Sequence, residues 1–323
     1  TGGVRQTAHQ GFWGRPLFGL LKHNNKSSKK GLLGVETGPE GIALAWVARD
    51  PGAAPSLRHC EFRACAPAAQ LDTLRKMVSS AGLEGLPVNL VLHPATYQLL
   101  LMESPEVEPA ELRDAMRWRL REMISEPIDE QIMDCFALPA DAYRGRSRMA
   151  YCATFAKTAM LQFRHLINHA GLTLQCIDIT EMALRNVGLL AGADGINLGL
   201  LRLRTSEGLI CVQNGAELYM ARRIEQGLAP LGDDLAGMIL EVQRSLDYFE
   251  SQLGKGYISR LLLLPMKREG DRAREALRAN LAVNLQALEL RDLFPGQAAA
   301  ELDESEQAYC LAAVGAALRQ EAD

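Results

Sequence analysis

Largely apolar stretches at 31–36 and 42–47 flank Gly38-Pro39-Glu40-Gly41 and predict a β-hairpin. Glycine at both ends of the turn also lets backbone N–H groups approach a phosphate. The same residues therefore read as a plain hairpin or as a nucleotide loop, with Glu36 the single acid on the first strand. Residues 58–66 add a third strand to the meander. The period then changes: Leu71, Leu74 and Val78 predict a helix over 68–81, stopped by Gly82 and Gly85. Short apolar strands follow at 88–92 and 97–102. A meander that gives way to alternating helices and strands predicts a mixed α/β sheet.

The segment 105–138 has its own pattern. Acids before Pro109 mark a helix start, Leu112, Ala115, Met116, Trp118 and Leu120 an amphipathic helix ending near Ile124, and 131–138 a strand. A basic, turn-rich break at 143–148 precedes a strand at 149–156, a helix at 159–170, a strand at 174–179 and a helix at 181–190. After the boundary 191–195 the opening pattern recurs: strand 197–202, turn 205–208, strand 209–213, the hairpin signal Asn214-Gly215 and strand 218–224. A helix at 233–251, a strand at 258–264, a helix at 271–281, a strand near 285–290 and a helix at 305–319 complete the chain. Two halves that open alike predict an internal duplication. The reading is a basic flexible arm at 1–30, a first lobe at 31–190 with an inserted strand–helix–strand unit at 96–140, a second lobe at 195–304, and a terminal helix at 305–323 returning to the first lobe.

Composition refines this picture in three places. Of 323 residues, 48% are hydrophobic and 23% charged, as in an ordinary globular protein, and the net charge of −4 provides no general field for nucleic acid. The arm nevertheless carries six cations and no acid, which leaves −10 for the rest. With Phe12, Trp13, Leu17 and Phe18 it reads either as a contact for an anionic membrane surface or as a disordered tether. No run reaches the ~18 apolar residues of a membrane span, and no signal peptide is read. The seven cysteines are scattered without a C-x-x-C pair, which suits a reducing compartment better than a disulfide framework or zinc site. His165 and His169 share a helix face, but no third ligand follows, so no metal site is expected. Asp303-Glu304 and Asp233-Asp234 suit helix starts.

Four stretches together carry a resemblance: LLGVETGPEGIALA at 32–45, ELRDAMRWRLREMISEPIDEQIMDCFAL at 111–138, AGLTLQCIDITEMALRN at 170–186 and EVQRSLDYFES at 241–251. In this order and spacing the chain, over roughly 30–320, resembles the PilM-like proteins of type IV pilus machines, and among them the MshI proteins of mannose-sensitive haemagglutinin pili. The resemblance implies the actin, Hsp70 and sugar-kinase architecture, with duplicated ribonuclease-H-like lobes and an inserted subdomain as in PilM and FtsA. It implies a protein on the cytoplasmic face of the inner membrane that binds the N-terminal tail of a PilN-like membrane protein and communicates with a pilus motor ATPase or platform component. No nucleic-acid partner is implied. The groove for the tail is placed near Trp118, Ile124, Pro127 and Ile128.

The resemblance also implies a nucleotide cleft, from which this sequence departs. Glu36-Thr37-Gly38 stands where an Asp-x-Gly loop would orient hydrated Mg²⁺. Arg202 and Arg204 stand in the second loop in place of a metal-facing acid, and Pro265-Met266 replaces an adenosine Gly-Gly. Glu36, Thr37, Gly38, Arg202 and Arg204 are thus expected to form a degenerate site, with ATP and Mg²⁺ disfavoured as cofactors and no catalysis. The rivals are an active ATPase or kinase of the same fold, and the type II secretion counterpart, the GspL cytoplasmic domain.

Overall fold

The computed structural model describes residues 31–50, 52–108, 110–143, 148–228, 235–267 and 270–320. The expectations for the arm at 1–30, for Pro109 and for Asp233-Asp234 lie outside these residues. The strands and helices in chain order are β1 Leu32–Gly38, β2 Gly41–Ala48, β3 Ser56–Ala64, α1 Gln70–Ala81, β4 Pro87–Leu92, β5 Gln98–Glu103, α2 Leu112–Arg121, β6 Gln131–Ala137, β7 Met149–Ala156, α3 Lys157–His169, β8 Thr173–Ile179 and α4 Thr180–Leu190. The second half adds β9 Leu198–Leu203, β10 Gly208–Asn214, β11 Glu217–Ile224, α5 Ala236–Tyr248, β12 Arg260–Leu263, α6 Gly270–Asn280, β13 Leu285–Ala287, α7 Leu290–Leu293, α8 Gln297–Ala300 and α9 Glu304–Ala317.

The duplication appears in the sheet topology. One five-stranded sheet runs β3-β2-β1-β4-β8 and the other β11-β10-β9-β12-β13, the same order for equivalent strands. In each, an antiparallel meander continues through parallel pairs, β1 with β4 and β9 with β12. The parallel strands are buried on both faces, which is why Leu90 to Leu92 and Leu261 to Leu263 read as unbroken apolar runs. The first hairpin closes with Gly38 opposite Gly41. Gly41, at φ 156, is the one of the two in a glycine-favoured conformation, and Gly38 does not have positive φ.

A third sheet, β5-β7-β6, carries α2 on one face. Its core is Met102, Leu112, Met116, Leu120, Ile128, Met133, Cys135, Ala150 and Cys152. The central strand is β7, so this small lobe is not confined to 96–140. Cys135 and Cys152 face each other across β6 and β7, with Cα atoms 4.2 Å apart, and are disulfide-bonded. That corrects the expectation of no disulfide: the pairing is set by strand register, which spacing along the chain does not reveal.

The last helix, α9, lies against α4 and against β1, β2, β3 and β4. Its side chains are buried all round from Gln307 to Ala317, apart from a half-buried Tyr309, which requires the Ala- and Gly-rich composition. Gly34 of β1 faces the Ala313 carbonyl, and Gly315 faces that of Ala183, each too closely for a Cβ. Asp303 caps α9: its carboxylate accepts from the Glu306 amide at 2.8 Å, and the Glu306 carboxylate accepts from the Asp303 amide at 3.0 Å. Arg319, just past the helix, pairs with the fully buried Asp178 of β8. Among the described residues no helix is long and apolar enough to cross a membrane.

Candidate functional site

The duplicated hairpins aim their turns at a common cleft. Pro39 and Glu40 of the β1–β2 turn and Arg204 to Glu207 of the β9–β10 turn line one cavity of about 390 Å³, together with His93, Ala95, Arg223 and Lys267. Glu36, at the end of β1, is 6% exposed, and its Oε1 accepts no hydrogen bond from any described residue. Arg204 comes nearest it, Nη2 to Oε1 3.9 Å. Thr37 is buried in the same strand, and Gly38 packs against the His93 ring, where a Cβ would lie 3.2 Å from Cδ2. The Gly38 carbonyl accepts from the Gln70 side chain at 2.8 Å. Arg202 sits behind the cavity, 4% exposed; its Nη2 is 3.8 Å from Glu207, while Nε and Nη1 meet no hydrogen-bond acceptor among the described residues.

Residues remote in sequence complete the cleft. Lys267, after β12, forms an ion pair with Glu40 and lies 3.8 Å from the centre of the Tyr309 ring. Tyr309 in turn stacks on Phe62 with centroids 3.7 Å apart, and its hydroxyl donates to Glu40 at 3.2 Å. Arg223 donates to the Pro94 carbonyl at 2.8 Å and covers Tyr97. The backbone amide of Met266 donates to Glu304 at 3.2 Å, so it is already engaged.

The cleft is crowded with cations, and titration behaviour reflects it. Burial, then the charges of Arg204, Arg202 and Lys267, push the His93 imidazole from an ordinary 6.5 down to about 4, with Glu40 opposing. Burial and the neighbouring Arg202 likewise lower Arg204, against the pull of Glu36. For Glu40, burial pushes upward but is outweighed by Lys267 and Tyr309, and the carboxyl is held below its ordinary value. Deeper in, Glu181 accepts from the Tyr97 hydroxyl, and burial raises the pKa of both.

These side chains do not fit a hydrated divalent cation. Glu36 already faces a guanidinium and Glu40 an ammonium, so a metal would enter against two resident positive charges. They suit an anion instead. Of the residues singled out from sequence, Glu36, Thr37, Gly38 and Arg204 meet here with Arg202 behind them. His93, Arg223 and Tyr309 carry no local signal, because each reaches the cleft only through tertiary structure.

The other group of sequence-marked residues lies on the small lobe and divides. Trp118 is 72% exposed on the face of α2 opposite Leu112, Met116 and Leu120; Pro127 is exposed and Ile124 half-buried. Ile128 is in the small core and presents little surface. Arg117 ties α2 to the 128–130 turn through Asp129 at 2.6 Å.

No protein-family model and no curated protein matches the sequence. Among solved structures, a chain of a PilM-PilN type IV pilus biogenesis complex is similar over 90% of this chain and 98% of its own, with TM-score 0.71 at 20% identity. The fold is PilM-like. Weaker likenesses are the cytoplasmic domain of EpsL, an inner-membrane component of the type II secretion system of Vibrio cholerae (TM-score 0.48, 11% identity, 73% of this chain and 82% of that one), and a Bacteroides thetaiotaomicron protein with an actin-like ATPase fold (0.48, 10%, 82% and 94%). In the PilM-like fold of this chain, the cavity lies between the two duplicated units and Trp118 on the inserted one.

Proposed function

We propose that this chain is an actin-like adaptor of a type IV pilus assembly platform, of the MshI kind, and not an ATP-hydrolysing enzyme. In this reading it sits at the cytoplasmic face of the inner membrane, holds the N-terminal tail of a PilN-like membrane protein, and passes that contact to a motor ATPase or platform component. The likeness at TM-score 0.71 to a chain from a PilM-PilN complex carries the reading. Local features support it. β5 and β6 are the edge strands of the small sheet, the kind of edge to which an extended tail can add, and Trp118, Ile124 and Pro127 supply apolar surface on the same lobe. Ile128 is no longer assigned to the groove.

Calorimetric titration of the folded protein with the tail peptide of a PilN-like protein tests this. Trp118→Ala should weaken binding by ~1–2 kcal/mol or more. Unchanged affinity would remove Trp118 from the groove, and no binding by the wild type would refute the adaptor role. Phosphate release from Mg·ATP should stay at background; sustained turnover would favour the ATPase reading.

A further inference from the structure

We propose that Cys60 and Cys310 are a hydroperoxide-responsive thiol pair that closes to a disulfide and staples α9 to β3. The inference goes beyond the adaptor reading and stands apart from it, since it uses no residue of the small lobe.

Three observations converge on it. The first is contact. Side chains alternate faces along a strand, so Cys60 and Phe62 of β3 share one face. On that face Phe62 stacks on Tyr309 of α9 with centroids 3.7 Å apart, and Cys310 is the next residue of the helix. Cys310 belongs to the main apolar core, and Cys60 packs against that core. The two side chains meet: the Cys310 thiol hydrogen-bonds to Cys60. Sulfurs in hydrogen-bond contact need only a small shift to reach the S–S bond length of about 2 Å.

The second is unequal access, which sets the order of the chemistry. Cys60 is half-buried, whereas Cys310 is fully buried. The hydrogen bond to Cys60, and then burial, push the Cys310 thiol well up, so it stays protonated and shielded from an oxidant. Cys60 therefore reacts first: its thiolate takes one oxygen of the hydroperoxide, the O–O bond breaks, and the other oxygen leaves as water or an alcohol. The Cys310 sulfur then attacks the Cys60 sulfenic sulfur. An S–S bond replaces the S–O bond, and the departing hydroxyl takes the Cys310 proton to leave as water. Two thiols and one hydroperoxide thus give one disulfide, with two electrons passing to the peroxide. In a reducing compartment, exchange with cellular thiols returns the pair to its starting state.

The third is what the bond would hold. The start of α9 is tied to the second unit: Glu304 pairs with Arg274 of α6 at 3.2 Å, and the Gln307 side chain accepts from the Leu290 amide at 2.8 Å. From Tyr309 onward the helix is tied to the first unit, through Phe62, through the Ala316 carbonyl that accepts from Asn89 at 3.2 Å, and through Arg319 with Asp178. Cys310 lies just past this changeover. A bond to Cys60 fixes the helix to the first unit at that point, and with it Tyr309, which meets Glu40 and Lys267 where the units face each other.

The test is non-reducing peptide mapping of the full chain, reduced with dithiothreitol, desalted and then treated with hydrogen peroxide. A peptide joining Cys60 to Cys310 is expected, absent from Cys60→Ser and lost again on reduction. Amide exchange across α9 should slow about tenfold or more on oxidation of the wild type, and not in Cys60→Ser. Cys135 and Cys152 are common to both proteins, so their own re-oxidation cancels in the comparison. Recovery of Cys60 as sulfinic acid with Cys310 unmodified, or joined to Cys65 or to a second chain, would overturn the pair. Unchanged exchange across α9 in a fully cross-linked protein would overturn the staple. Should Cys60→Ser fail to fold, the joined peptide and its loss on reduction in the wild type decide it.

Discussion

His93→Asn should make the protein less sensitive to acid. In the folded state the imidazole titrates near about 4 instead of 6.5, because it is partly buried among Arg204, Arg202 and Lys267. Between these values the unfolded chain binds a proton that the folded one refuses. Stability therefore falls as pH drops from about 7 towards 4 and levels off below, once both states are protonated. At about 1.4 kcal/mol per tenfold change, the full interval bounds the cost at roughly 3 kcal/mol, and the solvent-accessible edge of the ring reduces this to about 1–2. Asparagine can keep the short-range acceptor for the Ala95 amide, which limits unrelated damage. Urea unfolding of both proteins at about pH 7 and about pH 4.5 checks the result, since every other titrating group is common to the pair. Wild type should lose about 1 kcal/mol more than the variant over this range. Parallel losses would refute the argument that burial, aided by the flanking cations, disfavours the charged His93 ring.

Other perturbations test the packing and the small lobe. Gly34→Ala or Gly315→Ala would drive a methyl group into the Ala313 or Ala183 carbonyl, and each should cost about 1–3 kcal/mol or more in urea unfolding; an unchanged midpoint would place α9 farther from the sheet. Asp178→Asn leaves Arg319 buried without its carboxylate and should cost about 3–5 kcal/mol, read as a fall in melting temperature. Trp118→Ala should leave stability within about 0.5 kcal/mol, since the ring is exposed; a larger loss would mean that it packs against the fold.

Much of the architecture was legible from punctuation and period. Gly38 to Gly41 and Asn214-Gly215 marked hairpins at which β1–β2 and β10–β11 do turn, and the repeat of that pattern disclosed the duplication that the two sheet orders share. Less visible were features decided by distant pairing. Spacing could place β7 after a basic break but not at the centre of the β5-β7-β6 sheet, and without that register Cys135 and Cys152 are two scattered thiols. The short α7 and α8 hold too few residues for a helical period to show. The helix expected over 233–251 is α5 followed by a π-helical turn, Phe249–Leu253, which ends where Gly254 takes a left-handed conformation; periodicity alone does not separate the two helix types.

The cleft shows where sequence reasoning reached and where it stopped. Equivalent positions in the duplicated hairpins exposed the contrast between Glu36 and the pair Arg202 and Arg204, because each could be located on its own strand and turn. That contrast is an interaction only because the two units face each other, and so do Glu40 and Lys267, which are 227 residues apart. The two contacts are not alike. Glu40 is half open to solvent and also receives the Tyr309 hydroxyl, so its pairing with Lys267 needs little further compensation. Glu36 and Arg204 are both largely buried, yet they approach no closer than 3.9 Å and leave Glu36 Oε1 without a hydrogen bond. Their desolvation is thus incompletely repaid by their attraction.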